Sequence, residues 1–122
     1  MNTKIDLRTP LITTNSEATT PSETFQNQTL RPVLKLQNDL YLTLFMHYAK
    51  RQKTDFDMLS IANKKTFLQQ SLQKDVGMKN IFIGMTIGMF TEEEMEIYVS
   101  DSRELNRRII TMLIERLQSQ II

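Results

Sequence analysis

The side chains that could support catalysis or bind a metal ion are few in this sequence of 122 residues. It has one histidine, His47, and no cysteine, which excludes multi-histidine metal sites, thiolate zinc sites and cysteine nucleophiles. A Glu-x-x-His pair, which supplies ligands in di-metal helical bundles, would need a glutamate at the position of Leu44. We therefore interpret His47 as a residue at the edge of a helical core, and we expect neither a metal ion nor a cofactor.

The densest acidic cluster consists of Glu92, Glu93, Glu94 and Glu96. Glu92 and Glu96 are four residues apart and could present two carboxylates to a metal ion from one helix face. The same cluster also fits the first turn of a helix, because acidic side chains are favoured there and Thr91 with Glu94 has the spacing of a capping box. Capping is the interpretation that the pattern favours.

Two glycines, Gly84 and Gly88, are four residues apart and share one face of a predicted helix. Small residues at this spacing allow two helices to approach closely. Neither the Gly-x-Gly-x-x-Gly pattern nor the Gly-Lys-Ser/Thr pattern of phosphate-binding loops occurs in the sequence. We therefore predict a close helix–helix contact at Gly84 and Gly88 rather than a ligand site.

Charge is balanced, with 15 basic and 14 acidic side chains and a formal net charge of +1. Basic residues cluster at positions 50–53, 64–65 and 103–108, but carboxylates lie close to them in the sequence. Nucleic-acid binding requires cations on one surface that neighbouring acids do not cancel. The balance therefore argues against nucleic acid as a partner, and weak binding through these clusters is kept as an alternative.

Apolar residues recur at helical spacing from Phe25 onward, and no alternating strand pattern is found. Pro32 interrupts the first helical stretch, which either kinks there or restarts with Pro32 in the first turn of the main helix. Further helices are predicted after Ser60, Asp75 and Thr91, and a last one after a second capping box that starts at Asp101. The predicted fold is all-α, a compact bundle of four to five helices.

The first residues differ in composition from the rest of the chain. Positions 1–24 contain seven threonines and two of the three prolines but no aromatic residue. We predict that residues 1–22 form a flexible, disordered N-terminal arm, that Ser22 caps the first helix and that residues 23–122 form the helical domain. The longest apolar-rich run, at 81–90, is too short to cross a bilayer, and no secretory signal is recognised, so we expect a cytoplasmic protein without membrane contact.

The last predicted helix carries an apolar stripe that is wider than one core-facing side normally needs. The stripe provides the candidate interface residues Ile110, Met112, Leu113, Ile114, Leu117 and Ile121. If the bundle left these residues uncovered, a second copy could bury them in a twofold homodimer. The alternative is that the other helices wrap this helix on all sides and that its stripe belongs to the core.

Six short segments lie within a similarity that covers about four-fifths of the chain: 30–32, 35–40, 73–75, 87–94, 105–108 and 114–118. Through these segments the chain resembles a family of short helical bacterial proteins, mostly uncharacterised. Some members of this family carry a glyoxalase label, which implies a metalloenzyme of βαβββ architecture. One histidine and the lack of a strand pattern disagree with that chemistry, so the resemblance assigns no ligand residue here.

The sequence favours a non-catalytic protein-interaction or self-associating module. We expect a homodimer, and any further protein partner is unknown. One alternative is an enzyme of the glyoxalase-labelled kind, in which His47 and a glutamate would have to meet in a pocket. Weak nucleic-acid binding is the other alternative.

Overall fold

The computed structural model describes residues 20–52 and 55–121, without the side chain of Ser22, and every regular element in these ranges is helical. This confirms the predicted compact all-α class. The α-helices are α1 (Pro21–Phe25), α2 (Arg31–Leu36), α3 (Asn38–Arg51), α4 (Ile61–Lys74), α5 (Val76–Ile87), α6 (Glu92–Ser100) and α7 (Ser102–Gln118). A 3₁₀ turn, Phe56–Met58, precedes α4. Most of the predicted arm, residues 1–19, lies outside the described residues.

Pro32 is accommodated by a widened helical turn. A π-helical turn, Gln26–Leu30, connects α1 to α2, and the backbone N–H of Arg31 donates to the carbonyl oxygen of Gln26. Proline has no N–H, and in an uninterrupted α-helix its ring would crowd the carbonyl four residues before it. The π-helical turn instead brings Pro32 into the first turn of α2, where a missing N–H is tolerated. The helical path therefore continues past Pro32 and breaks at Gln37, with φ −98° and ψ 11°.

Three of the predicted N-caps are confirmed. The side chains of Ser60, Asp75 and Thr91 each accept the backbone N–H of the residue three positions later, at 3.1, 3.0 and 3.2 Å. At Thr91 the capping box is complete, because the Glu94 carboxylate also accepts the backbone N–H of Thr91 at 2.9 Å. These caps satisfy N–H groups that have no partner inside the helix.

Two predicted caps are wrong. The first helix begins at Pro21, and Thr20 accepts the N–H of Glu23 at 3.1 Å, so the capping residue lies two positions before Ser22. Asp101 makes no side-chain cap at the start of α7. Glu104, the expected second member of that box, instead forms ion pairs with the two arginines that follow it in α7.

Helix α7 is the central element, and α4, α5 and α6 all pack against it. Helices α4 and α7 run antiparallel. The side-chain amide of Gln118, at the end of α7, donates to the carbonyl oxygen of Lys65 in the first half of α4 at 3.1 Å, whereas Arg103, at the start of α7, lines a cleft together with Gln73 at the end of α4. Two aromatic clusters close the core on either side. One contains Phe45, Tyr48, Phe56 and Phe67. The other contains Phe25, Phe90 and Tyr98, and it anchors α1 against α6.

A buried polar network holds the break at Gln37 against α5. The Gln37 amide donates to the carbonyl oxygen of Met85 at 2.9 Å and to the Tyr41 hydroxyl at 3.1 Å. The hydroxyls of Tyr41 and Thr86 are 2.7 Å apart, and Thr86 donates to the carbonyl oxygen of Phe82. Because the Thr86 proton is used in that bond, the Tyr41 hydroxyl is the donor to Thr86. Burial raises the pKa of Tyr41, although its hydrogen bonds oppose the shift, so this donor stays protonated.

Candidate functional site

The structure places the predicted α7 interface largely inside the core of one chain. Four of the six side chains are exposed by no more than 7%, namely Ile110, Leu113, Ile114 and Leu117. Met112 and Ile121 are half-buried and pack against the same core. The expectation that these six residues form an uncovered patch for a second copy is therefore wrong.

The wide stripe of α7 is explained by its central position. It is covered by α4, α5 and α6, and Leu34 of α2 lines a cleft together with Met112 and Arg116. Near the C-terminal end of α7, the Asn38 amide donates to the side chain of Gln120 at 2.8 Å. A helix enclosed from several directions needs apolar residues over most of its circumference. The alternative interpretation, in which the stripe belongs to the core, is the one that the structure supports.

The predicted close contact at Gly84 and Gly88 is also wrong. Gly84 is exposed, and no neighbouring atom from another part of the described chain lies within 4 Å of the position that a Cβ would occupy. Gly88 is the C-cap residue of α5, and a Cβ there would lie 3.1 Å from the carbonyl oxygen of Gly84 in the same helical segment. Neither glycine brings a second helix of the chain close to α5.

The exposed side of α5 lacks charge, which is unusual for the outer side of a helix. We define the α5 outer face as its exposed positions Val76, Gly77, Asn80, Ile81 and Gly84. Val76 is 65% exposed and Ile81 is 51% exposed. The helix has one charged side chain, Lys79, which is half-buried outside this face. The α5 outer face is therefore an uncharged, mostly apolar strip along one helix.

The single histidine lies on the exposed side of α3. Its neighbour Tyr48 is half-buried and donates a hydrogen bond to Asp75 at 3.1 Å. In residues 20–52 and 55–121, no three histidine or carboxylate side chains come together as a possible metal site. The structure therefore assigns no ligand set that includes His47.

The acidic cluster has the structural role that the capping pattern predicted. Besides capping α6, Glu94 accepts a hydrogen bond from the hydroxyl of Thr29 at 2.9 Å. Thr29 is buried in the π-helical turn, so Glu94 connects the N-terminal helical segment to the start of α6. Glu92, Glu93 and Glu96 are exposed.

The basic cluster at 64–65 does not merge with the one at 103–108. Lys65 lies beside Gln118, whereas Arg107 precedes Gln118 by eleven residues, which is about 16 Å along a helix. Glu104 accepts from Arg107 at 2.6 Å and from Arg108 at 3.1 Å. The hydrogen bond from Arg107 is the largest cause that lowers the pKa of Glu104. These two clusters are thus separated, and Arg107 and Arg108 are paired with Glu104.

Asp75 links three helices and gives the protein a pH-dependent contact. Its carboxylate caps α5 through the N–H of Met78 and accepts the Tyr48 hydroxyl from α3. The bond from Met78 is the largest cause that lowers the pKa of Asp75 below 3.8, and the bond from Tyr48 is the next. Because the folded pKa is the lower one, the ionised carboxylate stabilises the fold above the unfolded pKa. That contribution is lost as the pH falls through the folded pKa.

We expect Asp75→Asn to melt at a lower temperature than the parent protein at pH 7. Asparagine still caps a helix but loses the carboxylate that the bonds from Met78 and Tyr48 favour. The difference between the two melting temperatures should begin to shrink near the unfolded pKa of about 4 and should disappear as the pH falls through the lower folded pKa, where the folded carboxyl becomes protonated. Thermal unfolding followed by circular dichroism from pH 7 to pH 2 measures this. A difference that stays constant over this range contradicts the assignment.

No protein-family model, curated protein or solved structure matches this chain. The resemblance to short helical bacterial proteins and their glyoxalase label therefore stays a prediction. Within the part of the chain that the structure describes, no helix is both long enough and apolar enough to span a bilayer.

Proposed function

We propose that this protein is a non-catalytic interaction module that self-associates as a homodimer through the α5 outer face. The observation that carries the proposal is the uncharged strip that runs along α5, with Val76 and Ile81 more than half exposed. Outer helix faces normally carry charged side chains, and apolar surface left on a folded domain is typical of an interface. The surface differs from the α7 stripe that the sequence indicated, but the function is the same.

A second copy fits this face better than a charged partner does. Residues next to a twofold axis lie close to their own symmetry mates, so a charge at that position would meet a like charge. The α5 outer face carries none. Gly84, one turn from Ile81, leaves open space above the helix backbone. In an antiparallel pair of α5 helices, Ile81 of each copy would fill the space beside Gly84 of the other.

We expect Ile81→Lys to convert the dimer into a monomer, with the fold retained. The new charge would meet its symmetry mate at the interface, and placing one lysine against another desolvates both. Sedimentation velocity from micromolar to millimolar protein measures the association, and circular dichroism verifies the helix content. The matched control is Ile97→Lys on α6, because Ile97 is 50% exposed and Ile81 is 51% exposed.

The proposal requires that Ile81→Lys weakens association by at least tenfold while Ile97→Lys leaves it unchanged. A parent protein that is monomeric at every concentration contradicts self-association. A dimer that withstands Ile81→Lys contradicts the assigned face. The cytoplasmic location and the bacterial origin stay predictions from the sequence.

A further inference from the structure

A cationic cleft lies where α4, α5 and the first half of α7 meet. It has a volume of about 290 Å³. Its lining side chains are Gln73, Lys79, Arg103, Asn106, Arg107, Ile110 and Thr111. Three of these residues are cations and none is an acid, in a chain whose net charge is only +1. The cleft therefore concentrates positive charge that the rest of the chain balances.

The polar groups of this cleft are arranged as hydrogen-bond donors. The Tyr98 hydroxyl donates to Oδ1 of Asn106, which leaves the Nδ2 of Asn106 as the group that can donate to a ligand. Lysine and arginine side chains have donors and no acceptor. Glu104, the carboxylate next to the cleft, accepts from both Arg107 and Arg108. Glu104 therefore holds the Arg107 guanidinium in place, whereas Lys79 and Arg103 remain available to bind a ligand.

We propose that this cleft binds the phosphate group of a small phosphate monoester. Lys79 and Arg103 would neutralise the phosphate, while Asn106 donates to one of its oxygens. Ile110 also lines the cleft and would contact the organic part of the ligand through the small fraction of its side chain that is exposed. This site is independent of the α5 outer face, so either proposal can fail without the other.

A second cleft of the same volume supports the choice of this site. It lies between α2 and α7 and also contains two arginines, Arg31 and Arg116. That cleft includes the carboxylate of Glu115, and its Arg31 donates to the side chain of Asn27. An anion would meet a like charge there. The cleft between α4, α5 and α7 has no acid among its lining residues.

The size of the cleft favours a small molecule over a nucleic acid. A volume of about 290 Å³ is near the lower end for small-molecule sites and accommodates one phosphate with a compact organic group. A nucleic acid requires cations along an extended track. The basic cluster at Lys64 and Lys65 lies near the opposite end of α7 from the cleft, so no track joins these two.

Phenyl phosphate is the probe for this proposal, and isothermal titration calorimetry with the full chain measures its binding. We expect saturable binding at millimolar concentration or below, with one site per chain. Arg103→Gln and Lys79→Met should each weaken the affinity by about tenfold or more, because each removes a charged hydrogen-bond donor. The matched control is Arg31→Gln in the second cleft, which should leave the affinity unchanged. Melting temperatures verify that each variant is folded.

Inorganic phosphate and a single-stranded DNA oligonucleotide are titrated in parallel. Weaker binding of inorganic phosphate than of phenyl phosphate supports the role of Ile110, and equal binding contradicts it. The proposal is overturned if phenyl phosphate does not bind at concentrations up to about 10 mM, roughly ten times the millimolar dissociation constant expected. It is also overturned if Arg31→Gln weakens binding as much as Arg103→Gln does. Tighter, strongly salt-dependent binding of the oligonucleotide would replace it with nucleic-acid recognition.

Discussion

Leu113→Ala is expected to lower the free energy of unfolding by about 2–5 kcal/mol, because it removes buried methyl groups from the middle of α7 and leaves a cavity. Leu113 is fully buried in a helix that α4, α5 and α6 surround. Urea denaturation followed by circular dichroism measures the change. The control is Thr111→Ala, two residues earlier on the exposed side of α7, which should change the free energy of unfolding by no more than about 0.5 kcal/mol.

The same variant distinguishes a core position from an interface position. If Leu113 belongs to the core of one chain, Leu113→Ala reduces stability equally at low and high protein concentration. If it belonged to an interface, the variant would dissociate the oligomer and its loss of stability would depend on concentration. A loss below about 1 kcal/mol together with dissociation would therefore contradict the structure and restore the α7 interface.

Local signals of the fold could be predicted from the sequence. A cap depends on one side chain and on an N–H three residues away, so the patterns at Ser60, Asp75 and Thr91 contain all the information that the contact needs. Asp101 has the same pattern and fails, because its backbone, at φ −149° and ψ 46°, lies outside the extended region of a capping residue. The other half of the box is missing because Glu104 pairs with the arginines after it. Residue spacing specifies neither the backbone angles of Asp101 nor the partner of Glu104.

The candidate site depended on information that residue spacing does not contain. The width of the α7 stripe indicated correctly that more than one surface covers this helix, but it could not distinguish other helices of the chain from a second copy. Gly84 shows the opposite case. Its spacing from Gly88 predicted a contact within the chain, whereas the structure leaves open space there. Which face of α5 is outermost depends on the packing of α4 and α7, which lie 25 residues or more apart in sequence.

The cationic cleft had no sequence signal, because its residues come from three separate helices. Lys79 belongs to α5 and Arg103 to α7, and 24 positions separate them in the sequence. Proximity in the sequence groups Arg103 with Arg107 and Arg108. The structure pairs the last two with Glu104 and places Arg103 and Arg107 beside Lys79. A recurring lysine and arginine pair at these positions in related sequences would have been the signal to look for.

Thr86→Val is expected to lower the free energy of unfolding by about 1–3 kcal/mol, although it keeps the shape of the side chain. Thr86 is fully buried and its hydroxyl oxygen accepts the proton of the Tyr41 hydroxyl. Valine cannot accept that proton, so a buried donor loses its partner, which is more unfavourable than the loss of an average hydrogen bond. The carbonyl oxygen of Phe82, which Thr86 also contacts, retains its partner in the backbone of α5.

Tyr41→Phe should be less destabilising, at about 1 kcal/mol, because the donor that loses its acceptor is one N–H of the Gln37 amide, which is half-buried rather than buried. Thr86 still donates to the carbonyl oxygen of Phe82, and Gln37 still donates to that of Met85. The double variant removes both hydroxyls, so we expect it to be about 1 kcal/mol more stable than the sum of the two single changes predicts. Urea denaturation of the four proteins measures this coupling. The inferred direction of the hydrogen bond makes Thr86 the acceptor on which the Tyr41 hydroxyl depends. Additive effects, or a larger loss of stability in Tyr41→Phe than in Thr86→Val, would therefore contradict that direction.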